Sequence, residues 1–496
     1  MTSYQKPTLD KDLDKLSSME QATVSLGRRL AAPGLALLFI VLCAVVAASF
    51  MFESKGGVVI VAAAAIGAYM ALNIGANDVA NNVGPAVGSR AMTLVTALII
   101  AAVFESAGAL IAGGDVVGTI SKGIIDPSSV SSPSVFVAAM MAALVSSALW
   151  INMATWLGAP VSTTHSIVGG VMGAGIAAAG FSAVNWVTMS SIAASWVISP
   201  VLGGVIAALF LAFIKTFIIY QEDKIAAARR WVPVLIAIMA GAFASYLAMK
   251  GLKKLIKIDF ATALWIGLGV AVLAWGITRP LIIRQSEGLE NRNQSLRKLF
   301  AIPLVCSAAL LSFAHGANDV ANAVGPLAAI VHTAGLGEVA DKVTIPLWVM
   351  AVGALGISFG LLLFGPKLIN MVGQQITKLN PMRAYCVALS AAITVIVASK
   401  LGLPVSSTHI AVGAVFGVGF FREWYTEKSK RRVAYMERKN GGREIRSAER
   451  TREDQARRKL VRRSHFMTII AAWVITVPAA ALLSGVLYHI LVRFIA

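Results

Sequence analysis

Two stretches of this chain place a carboxylate among amides inside otherwise apolar sequence. Gly75 to Pro85 reads Gly-Ala-Asn-Asp-Val-Ala-Asn-Asn-Val-Gly-Pro, and Gly316 to Pro326 reads Gly-Ala-Asn-Asp-Val-Ala-Asn-Ala-Val-Gly-Pro. Ten of the eleven positions coincide, which marks an internal repeat. Asp78 and Asp319 are the centres of the two copies. An ionisable group in such a setting costs about 2.5–3.5 kcal/mol on insertion scales and is a functional candidate by default. Asn77 and Asn81 stand one helical turn apart around Asp78, as Asn318 and Asn322 do around Asp319, so each copy gathers oxygen ligands. Gly75, and Gly84 with Pro85, favour a local break that would free backbone carbonyls. Carboxylate, amide and carbonyl oxygens together suit a hard cation. The competing reading is an interhelical hydrogen-bond cluster.

A second repeated motif lies downstream of each copy. Leu157-Gly-Ala-Pro-Val-Ser-Thr-Thr-His165 matches Leu401-Gly-Leu-Pro-Val-Ser-Ser-Thr-His409 at seven of nine positions. Pro160 and Pro404 suit the opening of a helix. Ser162, Thr163 and Thr164, with Ser406, Ser407 and Thr408, then fall in first turns. Free backbone N–H groups, the positive dipole end and hydroxyls converge there, which makes an anion seat without formal positive charge. Ordinary capping is the alternative. His165 and His409 read equally as core histidines or proton carriers. Glu105 lies within another apolar run and has no acidic counterpart in the second half; it suits a cation, a proton or an interhelical bond. The motifs contain two aspartates and no Lys or Arg, so a multiply charged anion needs cations beside it. That balance points to cotransport, provided the motifs meet in space.

The elements that must position these groups follow from composition. The chain has 496 residues, 57% hydrophobic and 14% charged, with a mean hydropathy of +0.76. Soluble domains carry about a quarter charged residues. Apolar runs lie at 31–52, 57–76, 91–112, 133–156, 160–179, 186–214, 231–249, 259–283, 300–325, 344–364, 382–400, 404–421 and 466–495. Their lengths predict an all-α polytopic membrane protein with about 12–13 membrane segments. The alternation of a transmembrane barrel is absent. Cys43, Cys306 and Cys386 lack metal-ligand spacing and read as packing residues. The net charge of +19 sits in loops and carries no nucleic-acid signal. No catalytic motif is present, which argues against an enzyme.

The basic loops 215–230, 284–298 and 422–465, the last with sixteen Lys/Arg against seven Asp/Glu, should be cytoplasmic. The N-terminus then lies inside too. The short loop with Lys250, Lys253, Lys254 and Lys257 falls outside in this scheme, outweighed by the other three. The two Asp motifs consequently face opposite sides, the pattern of an inverted-topology repeat in a secondary transporter. The expected organisation is a cytoplasmic N-terminal tail (1–30), an extra span (31–56), repeat 1 (57–214), a two-span linker (215–299) and repeat 2 (300–421). A basic cytoplasmic loop (422–465) and a final span of repeat 2 (466–496) follow.

The paired Gly-Ala-Asn-Asp-Val-Ala-Asn and Pro-Val-Ser-(Thr/Ser)-Thr-His stretches resemble the inorganic phosphate transporter (PiT) family over roughly residues 57–421 plus the last span. The resemblance implies an inverted-repeat symporter of inorganic phosphate with sodium or protons, working by alternating access as a homodimer, with no other cofactor. It implies that Asn77, Asp78, Asn81, Asn318, Asp319 and Asn322 serve the cations, sodium at Asp78 and Asp319 if sodium is coupled. Ser162, Thr163, Thr164, Ser406, Ser407 and Thr408 would hold phosphate, and Glu105 looks like a glutamate that matters in the family. It also implies broken or re-entrant helices at the Ser/Thr segments. The position of the 422–465 insertion suggests a bacterial member, hence the plasma (inner) membrane. Sulfate or metal-phosphate symport, and an uncoupled anion channel, are the alternatives.

Overall fold

A computed structural model describes residues 30–126, 129–157, 161–250, 258–337, 345–371, 379–429 and 463–495, together with Arg432 and Tyr435. The N-terminal tail up to residue 29, Pro160 and most of the 422–465 insertion lie outside the described residues.

The chain is built almost wholly from helices. In order they are α1 (Leu30–Met51), α2 (Gly57–Asn77), α3 (Val79–Gly88), α4 (Leu94–Ala112), α5 (Gly114–Gly118), α6 (Pro133–Leu157), α7 (Thr163–Ala179) and α8 (Trp186–Ile214). Then come α9 (Lys224–Lys250), α10 (Phe260–Ser286), α11 (Asn293–Leu299), α12 (Ala301–Asp319), α13 (Ala321–Leu336), α14 (Leu347–Met371), α15 (Pro381–Lys400), α16 (Ser407–Lys428) and α17 (Arg463–Ile495). Polar side chains start several of them. Thr93 accepts from Thr96 N, Asn185 from Thr188 N and Asn380 from Arg383 N, each satisfying a donor the helix leaves open.

Eleven helices among the described residues are long and apolar enough to cross a membrane. That corrects the thirteen apolar runs. The runs at 160–179 and 404–421 became α7 and α16, and neither qualifies. α7 has 17 residues, about 25 Å at 1.5 Å per residue. α16 ends in the charged sequence Arg422 to Lys428. α6 and α7 form a hairpin: Asn185 N donates to Ile124 O at 2.9 Å, so the segments before α6 and after α7 meet. The pair therefore returns the chain to the side on which α6 starts, as two crossings would, and the parity of the remaining spans is unchanged.

The two repeats interleave. α2 packs on α14 and α4 on α12; α7 packs on α17 and α8 on α16. Each pair joins one repeat to the other, and the pairs are reciprocal. Ser106 of α4 donates to Ala354 O and Ser358 of α14 donates to Ala102 O, the same contact made in each direction. α10 lies at the edge, with 11% of its apolar window buried, while the α12–α13 segment reaches 78%. The centre of the bundle is therefore made of the motif-bearing helices.

Loops 215–230 and 284–298 and the start of the third basic loop share one face. Asn291 Nδ2 donates to Glu222 O at 2.7 Å, tying loop 284–298 to loop 215–230. Tyr220 stacks on Tyr425 with centroids 5.7 Å apart, bringing the start of the third loop there. Lys250, at the far end of α9, ion-pairs with Asp115 of α5, which removes part of the charge that had seemed misplaced. The other lysines of that loop fall outside the described residues.

Candidate functional site

The first motif does not break as its glycines and proline suggest. α2 and α3 are interrupted only at Asp78, whose backbone stays right-handed (φ −87, ψ −34) and whose N–H still bonds Ile74 O. α12 and α13 are likewise interrupted only at Val320. Pro85 and Pro326 sit inside helices. Lacking an N–H, they leave the carbonyls of Asn81 and Asn322 without the usual helical donor. Gly75 and Gly316 serve close packing instead. A Cβ at Gly75 would fall on the carbonyl of Ile357, and one at Gly316 on the carbonyl of Glu105. Small residues at such contacts let membrane helices approach backbone to backbone.

This packing brings both motif pairs to one buried centre. Thr163 donates to Asp78 Oδ2 at 2.5 Å, and Thr408, from the other repeat, to Asp78 Oδ1 at 3.3 Å. Ser407 donates to Asp319 Oδ2 at 3.2 Å. The amides cross between repeats. Asn81 Nδ2 donates to Thr408 Oγ1 at 3.0 Å, and Asn322 Nδ2 to Thr163 and Thr164 at 3.2 Å each. All these side chains are buried. Asn77 and Asn318, also buried, border this centre. Asn77 pairs with Thr155 at 2.8 Å and, with its amide turned to suit its neighbours, donates to Asp78 Oδ1 at 3.2 Å. Asn318 bonds Ser399 Oγ and the Leu403 carbonyl, and accepts from Val405 N.

Ser162 and Ser406 are N-caps. Each accepts from the backbone three residues on, His165 N at 3.1 Å and His409 N at 3.3 Å. The α7 and α16 N-termini abut: Thr164 Oγ1 donates to Val405 O at 3.0 Å, and the His165 and His409 rings meet edge to face at 4.4 Å. His165 also lies 3.9 Å from the Trp196 ring. Two positive dipole ends are thus held together in a buried site, an arrangement that favours an anion between them.

One residue of the centre escaped the sequence reading. His315 Nδ1 lies 2.6 Å from Glu105 Oε2, and its Nε2 lies 2.7 Å from Asp319 Oδ2. Glu105 Oε1 accepts from Asn82 Nδ2 at 2.9 Å. The ligand atoms of Asp78, His315 and Asp319 lie within 4.8 Å of one another, close enough to hold a metal ion. The repeat itself hid His315: its counterpart one residue before the first motif is Ile74. Asn82 is the one mismatched motif position, Ala323 in the other copy. Glu105 corresponds by packing to Ile357, since Gly316 rests on the one and Gly75 on the other. The three residues that break the repeat's symmetry form one cluster.

A multi-pass helical bundle whose repeats converge on buried carboxylates and hydroxyls defines a transport protein rather than an enzyme. Its sequence matches the pattern described as "Phosphate transporter family" over residues 74–484. A Helicobacter pylori (strain J99) chain described as "Putative phosphate permease" is 46% identical, the match covering 96% of this chain and 98% of that one. A Pyrococcus abyssi chain of like description is 37% identical over 86% of this chain and 96% of its own. A solved structure described as "The sodium-dependent phosphate transporter" superposes with a TM-score of 0.75 at 33% identity, covering 88% of this chain and all of that one. The chain belongs to the phosphate transporter family.

Proposed function

We propose that the chain is a cation-coupled symporter of inorganic phosphate that works by alternating access in the plasma membrane, with its basic loops in the cytoplasm. One observation carries the reading: the Ser/Thr turns of both repeats donate directly to the two motif aspartates at the junction of two helix N-termini. Phosphate sits between the first turns of α7 and α16, held by Thr163, Thr164, Ser407, Thr408 and the open N–H groups there. Ser162 and Ser406 contribute by capping those turns. The cation sits at Asp78 and Asp319 with Asn77, Asn81, Asn318 and Asn322, and its charge offsets theirs so that the anion can approach. Loading both releases the hydroxyl–carboxylate bonds and favours closure around the substrates.

Sodium is the preferred cation, since the similar solved structure is described as that of a sodium-dependent phosphate transporter. Coupling to protons is the second reading, favoured by the buried chain Glu105–His315–Asp319. With α6 and α7 taken as one pair that returns the chain to the side it came from, the remaining spans give α2 and α12 opposite directions, which supports an inverted-topology repeat. A homodimer goes with the family reading; the mass of the purified particle in detergent tests it.

Labelled phosphate uptake into proteoliposomes under imposed gradients tests the whole proposal. Uphill accumulation that needs sodium supports the first reading, and accumulation driven by a pH gradient supports the second. Gradient-independent flux would reject symport in favour of a channel. Competition by unlabelled sulfate or by a metal–phosphate complex assigns the anion.

A further inference from the structure

A cavity of about 760 Å³ opens on the face that carries the basic loops. It is lined by Ser89 and Arg90 after α3, Arg297 and Lys298 before α12, and Asn380 and Arg383 at the start of α15. No Asp or Glu is among its lining residues. Among the described residues none of its four cations forms an ion pair. Several cationic groups converging on one concavity focus a positive potential, which a multiply charged anion relieves.

Two details aim at a ligand. Arg90 adopts φ +60, the only positive φ outside glycine among the described residues. The helix end after α13 uses Gly337 at φ +75, the residue that this conformation favours. An arginine kept in a glycine's conformation turns a strained position to a charged side chain's use. Asn380 Oδ1 accepts from both Arg383 N at 3.0 Å and Arg383 Nε at 3.1 Å, which fixes the guanidinium. Its Nη1 is buried with no hydrogen-bond partner among the described residues. A fixed guanidinium with free donors matches the paired oxygens of a phosphoryl group.

We propose that this cavity is a second phosphoryl-binding site, separate from the central one. Its volume exceeds what a single inorganic phosphate fills, so a chain of phosphoryl groups or an anionic lipid headgroup fits the same donors. The site also has leverage. α3, α12 and α15 carry Asn81, Asp319 and the turn before Ser406 at their other ends. A polyanion bridging their outer ends restrains the elements that hold the central groups; this last step rests on the transport reading above.

Isothermal titration of the purified full-length chain with tripolyphosphate tests binding apart from transport. The triple variant Arg90→Gln/Arg297→Gln/Lys298→Gln should bind at least tenfold more weakly, with a shallower dependence on salt. Asp78→Asn/Asp319→Asn should bind as the parent does. Equal affinity in the triple variant, or lost binding in the aspartate variant, overturns the proposal. Repeating the titration in phosphatidylcholine nanodiscs separates the sources. Displacement by added phosphatidylglycerol assigns the site to a lipid headgroup, and displacement by inorganic phosphate assigns it to the soluble ion. Absence of tripolyphosphate binding in those discs would also overturn it.

Discussion

Ser106 Oγ lies 2.7 Å from Ser358 Oγ, and the two serines come from corresponding helices of the two repeats. Each also donates to a carbonyl of the other's helix. The contact is thus made in both directions between the two helices. It has a mechanical meaning. Since α2 packs on α14, α4 on α12 and α8 on α16, neither repeat is a body that moves alone. Under the alternating-access proposal the moving units are therefore mixed, one built around α2, α4, α12 and α14.

A cross-link tests this. Hydroxyls this close suit a disulfide if cysteines replace them. With Cys43, Cys306 and Cys386 changed to serine or alanine, Ser106→Cys/Ser358→Cys should oxidise readily and retain at least half the uptake of its reduced form. If each repeat rocked as a unit, oxidation would abolish uptake, and reductant would restore it.

The aspartates should be indispensable for accumulation and dispensable for folding. Asp78→Asn keeps one of the two oxygens that accept from Thr163 and Thr408 and removes the charge. Asp319→Asn does the same toward Ser407. Each variant should lose gradient-driven phosphate uptake by tenfold or more while eluting as one peak in detergent. Uptake at the parental rate in both would falsify the cation assignment.

The motif glycines make a prediction of the opposite kind. A methyl group at Gly75 or Gly316 meets a backbone carbonyl that cannot swing aside. Overpacking of this sort costs about 1–3 kcal/mol. Gly75→Ala and Gly316→Ala should each lower the thermal midpoint in detergent by several degrees. Gly276→Ala on α10, with nothing within 4 Å of the added methyl, should not.

These outcomes show which parts of the molecule the sequence made readable. Hydrophobic run length located nearly every helix, because lipid demands about twenty apolar residues per crossing. It overcounted α7, a helix as apolar as a span but too short to cross, and α16, whose apolar run ends in charged sequence. Repetition located Asp78, Asp319 and the Ser/Thr turns, because both copies retain them. The same reasoning misread Gly75 as a helix breaker: the residue that demands a glycine is Ile357, far away in sequence. His315 was illegible for a related reason. A residue held by one copy alone carries no repeat signal.

That one-sided cluster supports a last prediction. Glu105, His315 and Asp319 form a buried line, 2.6 Å and 2.7 Å between successive groups. Removing the imidazole leaves two carboxylates facing each other without a cation, and breaking a buried pair in this way costs about 3–5 kcal/mol. His315→Gln should therefore be markedly destabilised. Glu105→Gln/His315→Gln removes one of the stranded carboxylates and should recover much of the thermal midpoint. The recovered double variant separates the two coupling readings. If sodium drives transport, its sodium-dependent uptake persists within a few-fold. If protons drive it, uptake under a pH gradient disappears although the protein is stable. Loss of both responses in a stable double variant would place Glu105 or His315 in the cation seat itself, since Asp78 and Asp319 are untouched by the change.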